Sequence, residues 1–278
     1  MVFVTAVLWS TAGVLVKAVP VNAVWMVFIR SISAGIILLP FLIRQKVMPP
    51  KIVLIAGFCM ISFMSTFVIA TRLGNVAMAI SMQSAAPIFV IVYFFIVNRK
   101  IERYKLVVVM FILSGIMLNL LNAMETGALL SIVAGLFCAI TFAGYPFCIK
   151  RITHGSPLGI VSAVNFVCAG FCILALPFSH EPMPVSFLDV LTLVLMGIFV
   201  SGCAQALYTA GLKRISVESA MIIILAEPIL NPVWVFLFTG EVPPIMSIIA
   251  LTLILAGVVT DVYFRISNLK TTIGGEKL

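Results

Sequence analysis

Apolar residues run along this chain in long blocks, separated by short polar interruptions. A helix that crosses the roughly 30 Å hydrocarbon core of a bilayer needs about 20 mostly apolar residues. Ten blocks qualify: residues 2–18, 23–43, 52–73, 75–97, 104–122, 127–149, 157–178, 188–210, 216–239 and 243–264. The interruptions are too short to hold a soluble domain, and only a polar tail follows from Arg265. Lipid offers the backbone no hydrogen bonds, so each block is predicted to satisfy its own as a helix. The expected fold is an all-α integral membrane protein with ten transmembrane helices, numbered below as spans 1 to 10.

The polar interruptions carry an asymmetric charge. With the N-terminus inside, the inner loops and tail hold Arg44, Lys46, Lys51, Arg99, Lys100, Arg103, Lys105, Lys150, Arg151, Lys213, Arg214, Arg265, Lys270 and Lys277. That is 14 of the 17 basic residues. The outer loops hold Lys17 and Arg72, and Arg30 lies within a span. Cytoplasmic loops collect Lys and Arg, so both termini are expected in the cytoplasm, below a plasma (inner) membrane. Termini on one side require an even number of spans, which favours ten over nine or eleven.

Composition excludes the soluble alternatives. Hydrophobic residues make up 63% of the chain and charged ones 9%, against about 25% charged in a soluble domain; mean hydropathy is +1.27. The formal net charge of +8 is not a nucleic-acid surface, because the basic residues sit in short clusters between apolar blocks. The six cysteines all fall inside apolar blocks, none in C-x-x-C spacing and none beside a histidine. They are expected to be small buried hydrophobes, not metal or redox sites. Met and Phe fill packing gaps, and His154 and His180 lie in loops without a metal partner. No basic stretch precedes the first block, so no cleaved signal peptide is expected. The first span then serves as its own insertion signal, unless a short native N-terminal stretch is missing.

The chain also repeats. An offset of 141 residues lays Ala85-Ala86-Pro87-Ile88 on Ala226-Glu227-Pro228-Ile229. Val76, Ala79, Val92 and Phe95 match at the same offset. An offset of 135 lays Ala34-Gly35 on Ala169-Gly170 and sets Arg30 opposite Asn165. The first repeat is expected over 1–123 and the second over 127–265, with a cytoplasmic tail at 266–278. Five spans is an odd number, so the two copies enter the membrane in opposite directions. Two inverted five-helix repeats are an architecture of secondary transporters.

Trp9-Ser10-Thr11 in span 1, Phe28-Ile29-Arg30 in span 2 and Ala226-Glu227-Pro228 in span 9, followed by Gly240-Glu241, complete this pattern. In that order, over residues 1–265, the chain resembles the ten-helix EamA-type exporters of the drug/metabolite transporter superfamily. The resemblance implies two five-helix bundles around a central cavity that opens alternately to each side. The first half departs from it: Asn98-Arg99 stands where the second half has Gly240-Glu241, and Glu102 comes a few residues later.

Polar side chains within spans mark the protein interior, because lipid cannot solvate them. Two ionisable residues are read as deep, Arg30 and Glu227. Unpaired, they would together cost on the order of 5–7 kcal/mol on insertion scales, so each needs a partner or a hydrated cavity. Glu227 precedes Pro228, whose ring and missing N–H weaken the helix; Pro87, its repeat counterpart, and Pro146 and Pro232 are expected breaks too. Glu227 fits either solute or proton handling or a bond that fixes the broken helix. Arg30 fits either an inter-helix anchor or an attractor for anions. Asn231 shares a helical face with Ile223, Glu227 and Trp234.

Uncharged candidates are Gln205 and Tyr208, on one face of span 8 with Ser201, and Gln83, in span 4 with Ser81 and Ser84. Thr66 stands with Ser62 and Ser65 in span 3, Tyr145 one turn after Thr141 in span 6, Asn165 with Ser162 in span 7, and Trp9 in span 1. Each has a structural alternative: Ser and Thr bond their own helix, Gln and Asn link helices, and Trp and Tyr pack. Their spread over many spans points to one cavity, where spans 3, 4, 8 and 9 meet spans 1 and 6.

The function these features support is secondary transport of a small polar metabolite, such as an amino acid or related compound. Export by alternating access is expected, with a proton as a coupling ion that Glu227 would carry. No P-loop is present, so the driving force is a gradient. An intramembrane enzyme would need clustered acids or a histidine within the spans, and a channel would need charged rings or a filter. A receptor would need large loops. The expected partners are the solute and the bilayer, with the protein a monomer or homodimer and no cofactor, metal or nucleic acid.

Overall fold

The computed structural model describes all residues except 46–47, 100–101, 179–185, 225, 241 and 276–278, and the backbone alone at 98, 218, 222 and 265–275. Lys46, Lys100, His180, Glu241 and Lys277 therefore lie outside the described residues. Among those described, the elements are all helical. Among the described residues nine helices are long and apolar enough to cross a membrane, and Val2–Ala18 is a shorter tenth. Seventeen residues rise about 26 Å, the lower end of what spans a bilayer. Large apolar side chains cover the outer faces, among them Ile43, Met110, Leu174 and Phe238. In lipid those are the solvated positions.

The packing carries the signature of the inverted repeat. Spans 2 and 7 pack along their length, and so do spans 5 and 10. Each pair joins a helix to its own repeat counterpart. The contact of span 3 with span 7 is answered by that of span 8 with span 2, and span 6 with span 4 by span 1 with span 9. Exchanging the halves therefore carries each of these contacts onto another of them. Both ends of the spanning region lie on one face: Gly211, at the end of span 8, abuts Val2, and Tyr104, at the start of span 5, stacks on Phe264 at 5.1 Å. This is called the N-terminal face below, and its opposite the far face.

Among the described residues, spans 1, 4, 8 and 9 are interrupted. Span 4 divides into Val76–Gln83 and Ala86–Asn98, and span 9 into Val217–Ile223 and Ala226–Thr239. The prolines explain where. Pro87 cannot donate to the carbonyl of Gln83, nor Pro228 to that of Ile224, so each first half-helix ends there and the proline opens the next. Span 1 divides at Thr11, and span 8 widens to a π-helix over Gly197–Ala204. Neither interruption contains a proline, so sequence reading did not foresee them.

Two expectations need correction. The helix runs unbroken through Pro146, within Leu129–Arg151, and through Pro232, within Ala226–Thr239. Spans 3 and 4 both pack against span 6, and such packing holds a proline-containing helix in a membrane protein. The last helix also passes the expected start of the tail, running from Ile245 to Gly275. Asp261, within the expected span 10, is a buried acidic residue as well, 7% exposed; so near the end of an apolar block, it did not read as deep.

The π-turn depends on a close approach. A Cβ at Gly197 would lie 2.6 Å from the carbonyl oxygen of Arg30, whereas one at Gly170 would meet nothing within 4 Å. We expect Gly197→Ala to destabilise the fold by about 1–3 kcal/mol. Gly170→Ala should stay within about 0.5 kcal/mol of wild type. Thermal unfolding of the purified variants distinguishes them.

Candidate functional site

The interruptions of spans 1, 4, 8 and 9 meet at the middle of the bundle. Breaking span 1 at Thr11 exposes the carbonyl of Ser10, and Asn231 in span 9 donates to it at 2.7 Å. Trp234 donates its indole N–H to Ser10 Oγ at 2.9 Å. Span 1 acts on span 8 in the same way. Trp9 Nε1 donates to the Val200 carbonyl at 3.1 Å and Thr5 Oγ1 to that of Ala204 at 3.0 Å, both within the π-turn. Buried carbonyls released by irregular helices need such donors. The Trp9-Ser10-Thr11 segment is thus the joint between span 1 and the second half.

A cavity with about 420 Å³ of empty space opens beside this joint. Span 1 supplies Trp9 and Ala12, span 2 Arg30, and span 3 Met60, Phe63, Met64 and Phe67. Span 4 adds Gln83, span 8 Val200 and Ser201, and span 9 Glu227. A second pocket of about 260 Å³ is lined by Ser84, Pro87, Phe142, Met221, Ile224 and Pro228, and shares Gln83 and Glu227 with the first. Span 9 begins at the N-terminal face, so Met221 and Ile224 place the second pocket on that side of Glu227. Phe67 and Arg30 extend the first toward the far face. Gln83 and Glu227 stand between the two, with Gln83 Nε2 donating to Glu227 Oε1 at 3.1 Å.

The two ionisable groups in the first cavity are incompletely matched. Glu227 is 4% exposed, and its Oε2 has no hydrogen-bond partner. Arg30 is 6% exposed, and its Nε has none either. Among the described residues Arg30 makes no ion pair with any carboxylate. A guanidinium stays protonated at any physiological pH, so the cavity holds a cation with no protein anion bonded to it. Apart from Gln83 and Ser201, the rest of the cavity lining is largely apolar, with Trp9, Met60, Phe63, Met64 and Phe67.

The remaining candidates lie elsewhere. Asn165 donates to Gln205 Oε1 at 2.9 Å, and Gln205 Nε2 donates to Tyr145 Oη at 2.7 Å. This network joins spans 7, 8 and 6 away from the cavity. Tyr208 lies behind Trp9, ring centroids 5.1 Å apart, and its hydroxyl is buried without a partner. Thr66 bonds the Ser62 carbonyl of its own helix at 2.6 Å. The structure therefore gathers Trp9, Arg30, Gln83, Ser201 and Glu227, and gives Asn165, Gln205, Tyr145, Thr66 and Asn231 bonds to protein. The expected cavity included span 6; in the structure span 2 lines the first cavity and span 6 contributes Phe142 to the second. The apolar wall from span 3 carries no polar signal that sequence reading could have used. Among the described residues no group of three His, Cys, Asp or Glu is placed to hold a metal.

Inverted halves, paired broken helices and a central cavity define a polytopic membrane transporter. The EamA-like transporter family model matches residues 1–121 and again 129–260, and the chain belongs to that family. It is similar to a protein of Archaeoglobus fulgidus named an uncharacterized transporter, with 26% identity over 92% of this chain and 93% of that one. A solved crystal structure matches with a TM-score of 0.67 at 19% identity, over 93% of this chain and 94% of that one; this shows the same fold.

The Tyr145 hydroxyl serves the inter-helix network and not the cavity. We expect Tyr145→Phe to lower the melting temperature, by a loss of about 1 kcal/mol, while leaving solute affinity within about twofold. Melting and binding measurements on one preparation check both halves of this expectation.

Proposed function

We propose that the protein is a secondary transporter for a small zwitterion with an apolar side chain, an amino acid or close relative, that works by alternating access and export. The observation that supports this reading is the pair of incompletely matched ionisable groups in one cavity. Arg30 offers a fixed cation with free donors, suited to a carboxylate. Glu227 offers a carboxylate oxygen without a partner, suited to an ammonium. The largely apolar lining suits a hydrocarbon side chain. A zwitterion that met both groups would replace the missing partners of each, and so offset much of the cost of burying them.

Glu227 is also where coupling would occur. It lines both pockets, so solute or a proton bound there can leave toward either face. Between solute cycles an ionised carboxylate in this position needs another cation, and a proton fills that need. The N-terminal face is read as cytoplasmic, in a plasma (inner) membrane, on the strength of the basic loops. Transport leaves the solute chemically unchanged, so no enzymatic step is assigned.

Glu227→Gln keeps the shape of the side chain and removes its charge. In proteoliposomes supplied with radiolabelled apolar amino acids, the variant is expected to lose about tenfold or more of the transport rate, the scale of one charged hydrogen bond. It should also stop responding to an imposed pH gradient while unfolding at a temperature near that of wild type. Wild-type transport across the pH range in this variant would remove Glu227 from the mechanism.

A further inference from the structure

We propose that Arg72 and Lys213 are a symmetry-related pair of latches, one at each face, that hold the cavity shut and release in turn during transport. The inference rests on the alternating-access reading above.

The repeat register carries the argument. The offset of 141 that lays Pro87 on Pro228 also lays Arg72 on Lys213, Asn75 on Ser216 and Met78 on Ser219. The last two pairs do equivalent work. Asn75 Oδ1 accepts the Met78 N–H at 2.8 Å, and Ser216 Oγ accepts the Ser219 N–H at 3.1 Å. These are the N-caps of spans 4 and 9, formed at corresponding positions. Three residues before each cap stands the cation.

Each cation reaches the same kind of target. Arg72 Nη2 donates to the carbonyl of Val19 at 3.0 Å, in the turn between spans 1 and 2. Lys213 Nζ donates to the carbonyl of Gly155 at 2.6 Å, in the turn between spans 6 and 7. These turns are counterparts in the repeat, and each ends in a capping side chain: Asn22 accepts from Val24 and Ser156 from Gly159. Because the repeat is inverted, the first latch lies at the far face and the second at the N-terminal face. Val19 and Gly155 are unlike residues, but a backbone carbonyl asks nothing of the side chain. The relation is therefore invisible as sequence identity.

The latches tie the parts whose separation would open a path. Arg72 fastens the span 3–4 hairpin to the span 1–2 hairpin, and Lys213 fastens the span 8–9 hairpin to the span 6–7 hairpin. The 3–4 and 8–9 hairpins carry Gln83 and Glu227, the two residues between the pockets. Tilting one hairpin outward breaks one latch and leaves the other closed. Both latches are made in this structure. At the N-terminal face Gln45 adds a second tie, its Oε1 accepting from the Ser156 N–H at 2.9 Å.

Cysteine accessibility tests this without a known solute. The native cysteines are replaced, and a single cysteine is placed at Phe67, in the first cavity, or at Met221, in the second. A membrane-impermeant maleimide is then applied to proteoliposomes from each face. Arg72→Ala should raise labelling at position 67 from the far face by about two- to fivefold, the range an exposed charged contact carries, and lower labelling at position 221. Lys213→Ala should do the reverse. Arg72→Lys and Lys213→Arg keep a donor and should keep the wild-type ratio. Opposite shifts support the latches, because a general loosening would raise both sites together. Parallel shifts, or none at sites that do react, would overturn the latches and leave the transporter reading standing. If neither site reacts in any variant, the cavity has no path to water and the transporter reading itself fails.

Discussion

An ionised side chain within a spanning helix costs about 2.5–3.5 kcal/mol by insertion scales, and this chain places Arg30 and Glu227 in a single cavity. Arg30 belongs to the first half and Glu227 to the second. Lipid cannot solvate either, so both must face the seam where the halves meet. The seam in turn must leave room around them. A cavity at the centre of the bundle, with spans 2 and 9 turned to present these two groups, satisfies that constraint. The rest of the architecture keeps the cavity closed to lipid while leaving its two sides distinct.

Irregular backbone clusters around the same place. Spans 1, 4, 8 and 9 each depart from regular α-helix near mid-membrane, and each departure frees polar groups that lipid would leave unsatisfied. The structure resolves this by mutual supply. Trp9 and Thr5 donate into the π-turn of span 8, and Asn231 and Trp234 donate to Ser10 at the break of span 1. Such bonds exist only while the halves are together, so the local irregularity and the assembly of the halves stabilise each other. They also leave the broken spans able to re-register, because a half-helix can tilt without unwinding its partner.

Much of this was legible in the sequence, for identifiable reasons. Hydropathy blocks show where helices cross, since lipid forces each block to be apolar throughout. The Pro87 and Pro228 match showed both the repeat and the two breaks, because proline acts on its own helix. Pro146 and Pro232 gave the wrong expectation for the complementary reason: whether a proline breaks a helix in a membrane depends on its neighbours. Arg30, Glu227, Gln83 and Trp9 were legible as cavity residues because polarity in lipid is conspicuous. The span 3 wall of Met60, Phe63, Met64 and Phe67 was not, since residues facing a cavity look like residues facing lipid. Nor were the bonds that hold Gln205, Asn165 and Tyr145 in a network of their own, which depend on helix rotation.

In the proposed mechanism one solute meets both Arg30 and Glu227. The most direct measurement is thermal unfolding of the purified protein with L-leucine, with its decarboxylated amine and with its deaminated acid, at equal concentrations. A ligand that binds the folded state raises the melting temperature according to its affinity. The zwitterion should raise it clearly more than either single-charge analogue, because only the zwitterion reaches Arg30 and Glu227 together. An amine that stabilises the protein as well as leucine does would contradict the account, for it would show that Arg30 takes no part in holding the solute.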